Sequence, residues 1–162
     1  LGHDQVSVLD GGWLGWCDED YPTTTDEGMT PLPGEFSPEI RQDWIVDLET
    51  VKIRKEQPSV ILVDSRSGDR YRGEREPIDP VAGHIPGAVN AFWQNVTNDR
   101  GYLRPLAELE QLWQPYNQAE ELIVYCGSGV TACVNLLALA LIGDHRGKLY
   151  PGGWSDWCSY SG

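Results

Sequence analysis

Basic residues are scarce in this chain, which has 12 lysines and arginines against 25 aspartates and glutamates and a formal net charge of −13. A nucleic acid or an anionic membrane is bound through a basic face. The composition therefore argues against both of these as partners.

Long hydrophobic runs are also missing. A membrane-spanning helix needs about 20 consecutive apolar residues, whereas the best candidate run covers only residues 134–142. The first residues have neither the basic nor the apolar segment of a secretory signal. These features predict a soluble protein of the cytoplasm. The missing initiator methionine indicates a fragment.

Cysteine is sparse, with four residues at positions 17, 126, 133 and 158. No C-x-x-C pair occurs, and the histidines at positions 3, 84 and 145 are far apart, so the spacing of a zinc site is absent. Without a secretory signal, this cysteine content does not predict a disulfide framework. We expect free thiols and no structural metal.

A repeat indicates the domain organisation of the chain, whose 162 residues suffice for one hydrophobic core. The pattern G-G-W-x-x-W-C occurs at residues 11–17 and 152–158, each time after a short apolar segment that predicts a strand. We interpret each copy as the closing helix of a domain. Residues 1–22 are then the C-terminal remnant of a preceding domain, residues 23–38 a proline-rich interdomain linker, and residues 39–162 the second and principal domain.

Strand and helix patterns alternate after residue 59. Apolar β-runs at residues 60–63 and 122–125 alternate with helical patterns at residues 106–113 and 131–142, and a short strand follows at 149–150. Continuous apolar strands separated by helices predict an α/β fold, a parallel sheet flanked by helices. A further helix is predicted to begin at Ser37, where the sequence Ser-Pro-Glu supplies a cap, a proline and an acidic first turn.

A glycine-containing loop follows the second β-run, beginning at Cys126. Glycines at positions 127 and 129 allow the backbone N–H groups to point at one atom, and the next helix adds the positive end of its dipole. In parallel sheets such loops lie where ligands bind. We predict that Cys126 is a nucleophile whose sulfur is held as a thiolate or persulfide anion. The alternative is a buried cysteine that ends a core strand.

The loop sequence C-G-S-G-V-T-A-C at residues 126–133 resembles the active-site loop of the mercaptopyruvate sulfurtransferases, which have the rhodanese fold. The segments D-S-R at 64–66 and G-H-I-P-G-A-V-N at 83–90 resemble two other rhodanese signatures. Related thiosulfate sulfurtransferases carry bulkier charged residues after the cysteine, so Gly127 and Ser128 favour the mercaptopyruvate enzymes. The matches extend from about residue 59 to residue 157 and resemble the C-terminal, working domain of a tandem rhodanese-like protein.

This resemblance implies that Cys126 attacks the sulfur of 3-mercaptopyruvate, becomes a persulfide and releases pyruvate. The sulfur would pass to a thiol acceptor such as thioredoxin, or to cyanide. No metal or organic cofactor is implied. The residues expected to bind the small anionic sulfur donor are Gly127, Ser128, Gly129, Val130, Thr131, Arg70, Arg72 and Arg75.

The arginines match the family only in part. Arg70 fits the substrate arginine best, but the family usually has a second arginine where this chain has Ile78, after the proline of a Glu-Pro pair. Arg72 or Arg75 would replace it, or would form salt bridges on a solvated loop. By the same resemblance, Ser128 matches a hydroxyl proposed to work with a histidine and an aspartate of the missing N-terminal domain, whereas His84 is expected to be structural.

Alternatives stay open for the function. The chain could be a thiosulfate sulfurtransferase, a non-catalytic rhodanese-like binding module, or a fragment that is inactive without the missing domain. A tyrosine-phosphatase-like enzyme would need an arginine six residues after the cysteine to bind phosphate. Position 132 is an alanine, which argues against that activity. Cys133 is expected to pack in its helix, with a resolving thiol as the alternative.

Overall fold

A parallel sheet forms the centre of the computed structural model, which describes residues 2–3, 5–29 and 32–160. Its strands are β1 (Val60–Asp64), β2 (Val89–Asn90), β3 (Glu121–Tyr125) and β4 (Gly147–Leu149), in the order β2-β1-β3-β4. Every pairing is parallel, and Ile45 adds a single parallel bridge to Leu149 at the outer edge. The predicted α/β fold with a parallel sheet is confirmed.

Helices connect the strands and cover the sheet. They are α1 (Gly12–Asp18), α2 (Leu48–Arg54), α3 (Gly68–Tyr71), α4 (Leu106–Trp113), α5 (Ala132–Leu141) and α6 (Gly153–Ser159). Short 3-10 turns occupy Gln42–Trp44, Trp93–Val96 and Gln114–Tyr116. No helix within the described ranges is long and apolar enough to cross a membrane.

The two faces of the sheet carry separate hydrophobic clusters. Because side chains alternate along a strand, Ile123 and Tyr125 of β3 pack on one face, whereas Leu122 and Val124 pack on the other. All four side chains are completely buried. β3 is thus the central strand of a sheet that is covered on both sides, as its continuous apolar run predicted.

Most predicted elements after residue 59 are confirmed within one or two residues. The helical patterns correspond to α4 and α5, and both copies of the G-G-W repeat form seven-residue helices, α1 and α6. The domain boundaries stay a prediction. Positions 1, 4, 30, 31, 161 and 162, which belong to the predicted remnant, linker and second domain, lie outside the described residues.

Two predictions of local structure are wrong. The helix predicted from Ser37 does not form: residues 37–41 are not helical, and Gln42–Trp44 make only a 3-10 turn. The chain then reaches the sheet edge, where Val46 N–H donates to the Leu149 carbonyl at 2.9 Å. The helix begins only at α2, where the Asp47 side chain accepts from Thr50 N–H at 2.8 Å. The strand predicted for the apolar segment before the first G-G-W copy, residues 5–9, does not form, since no strand in the described part of the chain pairs with this segment.

Candidate active site

Two of the predicted signature segments lie side by side at the carboxyl edge of the sheet. Asp64 and Tyr125 are register partners at the ends of β1 and β3, and Ser65 N–H donates to the Tyr125 carbonyl at 2.8 Å. The parallel pairing therefore continues past the strands and places Ser65 beside Cys126. This edge is where ligands collect in open parallel sheets.

Cys126 lies at the base of its loop and is only 3% exposed. It belongs to the same buried hydrophobic cluster as Val63 and Ala132, the first residue of α5. Within the loop, Ser128 and Val130 are exposed, whereas Gly129 is buried. The other predicted loop residues, Gly127 and Thr131, are half-buried.

The start of α6 contacts this loop through hydrogen bonds and close backbone packing. Trp154 N–H donates to the Cys126 carbonyl at 2.8 Å, and Ser155 N–H donates to the Gly127 carbonyl at 3.0 Å. Gly153 has a φ of +61°, and a Cβ there would lie 2.5 Å from the Gly127 carbonyl oxygen. Only glycine therefore allows this approach.

The same close packing holds the other side of the loop. Gly129 has a φ of +78°, and a Cβ added to it would lie 2.7 Å from the carbonyl oxygen of Pro151. The loop glycine and the segment between β4 and α6 are thus in direct backbone contact. Together with the α6 hydrogen bonds, this contact determines the path of the chain around Cys126.

Trp154 is a site residue that the sequence analysis did not identify. Its indole Nε1–H donates to the Val81 carbonyl at 2.9 Å, and the Arg66 guanidinium carbon lies 5.0 Å from its ring centroid. The residue is 4% exposed, as expected for a core position. The available signal was the second G-G-W copy, which the sequence analysis interpreted only as the closing helix of a domain.

Arg66 is buried in a network of ion pairs and hydrogen bonds beneath the site. It donates to Asp64 at 2.7 Å, to Glu76 at 3.2 Å and to the Gly83 carbonyl at 2.6 Å. Burial alone would lower the pKa of Arg66, but the hydrogen bond and the charge of Asp64 raise it above the ordinary value. Arg66 therefore stays charged. Its bonds connect the end of β1 to Glu76 and to the Gly83 carbonyl.

Arg70 is the predicted substrate arginine that lies beside the Cys126 loop. A Cβ added to Gly127 would be 3.8 Å from Arg70 Nη1. Arg70 donates from Nη2 to Glu76 Oε1 at 2.6 Å and from Nε to Glu76 Oε2 at 3.2 Å. Burial alone would raise the pKa of Glu76, but these bonds and backbone N–H donors lower it.

The other two predicted arginines, Arg72 and Arg75, lie on the surface. Each is 57% exposed in its side chain; Arg72 pairs with Glu74 at 2.7 Å and Arg75 with Asp69 at 2.6 Å. Ile78, at the position of the family's second arginine, is 74% exposed. The roles of Arg72 and Arg75 in binding stay a prediction.

The sequence of the chain matches a known family over most of its length. A sequence model described as the rhodanese-like domain matches residues 47–160. This chain belongs to the rhodanese-like domain family. The match contains all the strands of the sheet and the complete Cys126 loop.

Curated relatives of this rhodanese-like chain include a probable 3-mercaptopyruvate sulfurtransferase of Pseudomonas aeruginosa, 43% identical over 161 residues. The alignment covers 95% of this chain and 55% of that protein. The chain is also 35% identical to the 3-mercaptopyruvate sulfurtransferase of Escherichia coli K12, in an alignment that covers 97% of this chain and 57% of that protein. It is 35% identical to the thiosulfate sulfurtransferase of Rattus norvegicus, with 97% of this chain and 54% of that protein covered. The chain therefore spans about half the length of these relatives.

Solved structures of similar fold include complexes with ergothioneine and with trimethyl histidine. A tyrosine-to-alanine variant of EanB in complex with ergothioneine matches with a TM-score of 0.87 and 27% identity, covering 98% of this chain and 40% of that one. The anaerobic ergothioneine biosynthesis enzyme of Chlorobium limicola, in complex with trimethyl histidine, matches with a TM-score of 0.79 and 27% identity, covering 94% and 39%.

Asn135 is a second residue of this rhodanese-like domain that sequence reasoning missed. Its Nδ2 donates to Ser65 Oγ at 2.9 Å and to the Ala91 carbonyl at 2.8 Å. These bonds tie α5 to the segments that follow β1 and β2. The only signal in the sequence was one polar residue within an apolar helix.

His84, which is expected to be structural, and Cys133, which is expected to pack in its helix, both make local contacts. His84 Nδ1 lies 2.7 Å from the Tyr71 carbonyl, and its ring stacks on Tyr71 with the centroids 3.8 Å apart. Cys133 lies in α5 as predicted but is exposed rather than packed, and its thiol donates to the Gly129 carbonyl at 3.3 Å. Desolvation of the thiol, with a smaller contribution from Cys126, raises the pKa of Cys133. Among the residues described, no group of three His, Cys, Asp or Glu side chains could hold a metal.

Proposed function

We propose that the chain is the sulfur-carrying domain of a sulfurtransferase, with Cys126 as the carrier. The supporting observation is its position after the central strand β3, in a glycine-containing loop whose carbonyl groups are held by α6. Arg70 supplies a positive charge beside this loop. The names of the relatives, which are mercaptopyruvate and thiosulfate sulfurtransferases, support the same reaction class.

The proposed first step moves sulfur from 3-mercaptopyruvate to the protein. The Cys126 thiolate attacks the donor sulfur, the carbon–sulfur bond breaks, and its electron pair stays on carbon as the enolate of pyruvate. The enolate takes up the thiol proton and leaves as pyruvate, and Cys126 becomes a persulfide. A thiol acceptor such as thioredoxin, or cyanide, then attacks the outer sulfur and regenerates the Cys126 thiolate.

Arg70 is the proposed site for the carboxylate of the donor. Its guanidinium borders Gly127, whereas Arg72 and Arg75 are exposed and paired with Glu74 and Asp69. A guanidinium binds a carboxylate through charge-assisted hydrogen bonds. Because Gly127 and Ser128 are small and neutral, we propose mercaptopyruvate as the preferred donor, ahead of thiosulfate.

We also propose that residues 1–22 belong to a preceding rhodanese-like domain that completes the site. The relatives are nearly twice as long as this chain, and the first copy of the G-G-W repeat forms α1 as the second forms α6. Apolar side chains of this segment are exposed: Val6, Val8, Leu9, Trp13 and Leu14. A domain packed on them would remove that surface from water.

The test is the intact mass of the chain after exposure to 3-mercaptopyruvate and, separately, to thiosulfate. Wild type and Cys133→Ser should each gain one sulfur atom from mercaptopyruvate, which a reductant removes, whereas Cys126→Ser should gain none. Labelling by thiosulfate alone would instead indicate a thiosulfate sulfurtransferase. If neither donor labels a folded sample, the carrier role of Cys126 in this chain is wrong, and a binding module or a fragment dependent on its missing domain becomes the better interpretation.

A further inference from the structure

The hydrogen bonds of Arg70 leave one edge of its guanidinium directed at the Cys126 loop. A guanidinium has five N–H donors in a fixed plane. Glu76 accepts from Nε at 3.2 Å and from Nη2 at 2.6 Å, which uses one edge of the plane. Among residues 2–3, 5–29 and 32–160, no acceptor is hydrogen-bonded to Nη1, which borders Gly127.

Asp79 occupies half of the remaining edge. Its Oδ2 accepts from Arg70 Nη2 at 3.3 Å. A carboxylate that binds end-on to a guanidinium needs one hydrogen from Nη1 and one from Nη2. A substrate carboxylate at this edge must therefore displace Asp79 or bind through Nη1 alone.

The two carboxylates that contact Arg70 are held differently. Glu76 accepts five hydrogen bonds, from Arg66, from Arg70 twice, and from the backbone N–H groups of Ile78 and Asp79. Asp79 contacts Arg70 through one long bond, while its own backbone N–H is held by Glu76 at 3.2 Å. Asp79 is thus the more weakly held of the two carboxylates.

The buried network carries an excess of negative charge before any donor arrives. It contains the cations Arg66 and Arg70 and the carboxylates Asp64, Glu76 and Asp79, and each of these side chains is at most 14% exposed. Two positive and three negative charges leave a net charge of −1. At the position of the family's second arginine, Ile78 supplies no compensating charge.

We propose that Asp79 is a specificity-determining residue that competes with the anionic donor for Arg70 and disfavours donors with two negative charges. This inference rests on the proposed function, in which Arg70 binds the donor. Mercaptopyruvate carries one negative charge on its carboxylate, whereas thiosulfate carries two, so repulsion by Asp79 penalises thiosulfate more strongly. Asp79 therefore contributes to a preference for monoanionic donors.

Half-saturating donor concentrations for sulfur loading test this role in wild type, Asp79→Asn and Glu74→Gln. Glu74→Gln is the matched control, because it removes one negative charge from the same segment but Glu74 pairs with the exposed Arg72. For Asp79→Asn we expect the half-saturating concentration to fall about fivefold with mercaptopyruvate and roughly twentyfold with thiosulfate. For Glu74→Gln both values should stay within about twofold of wild type. Asp79→Ser provides a second variant if the asparagine variant does not fold.

Pyruvate binding separates this inference from the proposed sulfur transfer. The backbone amide NMR signals of Gly127 and Ser128, followed during titration with pyruvate, report occupation of the Arg70 edge without any sulfur chemistry. Tighter pyruvate binding by Asp79→Asn than by wild type and Glu74→Gln would support competition by Asp79, even if no variant accepts sulfur. Equal pyruvate affinities in the three proteins, or equal loading curves in wild type and Asp79→Asn, would overturn it.

Discussion

The amide N–H of Trp154 donates to the carbonyl oxygen of Cys126, with 2.8 Å between nitrogen and oxygen. This bond joins the first turn of α6 to the end of β3. Gly153, directly before Trp154, lets α6 approach the loop so closely. The second G-G-W segment is therefore a wall of the candidate active site as well as the start of a closing helix.

Gly153→Ala should disturb the loop around Cys126. The new Cβ would lie 2.5 Å from the Gly127 carbonyl oxygen on a backbone with positive φ. We expect a loss of about 3 kcal/mol in the free energy of unfolding, measured by urea denaturation, and slower sulfur loading. Gly143→Ala is the matched control: its φ is +78°, but its added Cβ would meet no atom within 4 Å. That variant should lose only about 1–2 kcal/mol, so equal losses would argue against a steric role for Gly153.

Arg70→Lys should weaken donor binding more than Arg72→Lys does. The planar Arg70 guanidinium binds Glu76 through two hydrogen bonds on one edge and can bind the donor carboxylate on another edge. A lysine ammonium cannot form these two paired contacts. We expect the half-saturating concentration of mercaptopyruvate to rise about tenfold for Arg70→Lys and to change less than about twofold for Arg72→Lys. Sulfur loading measured over a range of donor concentrations checks this. If the two substitutions have equal effects, Arg70 is not the principal anion-binding arginine.

Glu76→Gln should change how stability depends on pH. Despite burial, bonds from Arg70 and from backbone N–H groups lower the pKa of Glu76 below its ordinary value of 4.5. Because the folded pKa is the lower one, the stabilisation is complete above about pH 4.5 and is lost as the pH falls through the folded pKa. At pH 7 the substitution should cost about 3 kcal/mol.

Urea unfolding at pH 7, 5 and 3.5 measures this effect. The difference between wild type and Glu76→Gln should narrow only at the most acidic pH. Glu74→Gln, which removes an exposed carboxylate from the same segment, should have little effect at any pH. A difference for Glu76→Gln that is the same at all three pH values would contradict the prediction.

Asn135→Leu should loosen the attachment of α5 to the carboxyl edge of the sheet. The leucine has a similar size but leaves Ser65 Oγ and the Ala91 carbonyl without the hydrogen bonds that Asn135 donates. We expect a loss of about 1–2 kcal/mol in the free energy of unfolding, together with slower sulfur loading. Asn117→Leu, at an exposed position, serves as the control. Unchanged stability and loading in Asn135→Leu would show that these bonds are dispensable.

The predicted helix from Ser37 shows how tertiary contacts overrule local signals. Ser37, Pro38 and Glu39 form a strong helix-start pattern. In the structure these residues are not helical, a 3-10 turn follows at Gln42–Trp44, and Val46 N–H donates to the Leu149 carbonyl at the sheet edge. The short-range capping preference was outweighed by pairing with an edge strand that lies far away in the sequence.

The sequence by itself determined the features that depend on neighbouring residues. The continuous apolar runs of β1 and β3 required burial on both faces, and the strand, glycine loop and helix around Cys126 followed from local composition. Arg70 was identified by its resemblance to a family position. Tertiary structure alone decided which distant groups meet at this edge: Trp154 on Cys126, Asn135 on Ser65 and Asp79 on Arg70. The physical reason is that side-chain periodicity determines which residues are buried, whereas the order and register of the strands determine which buried residues become neighbours.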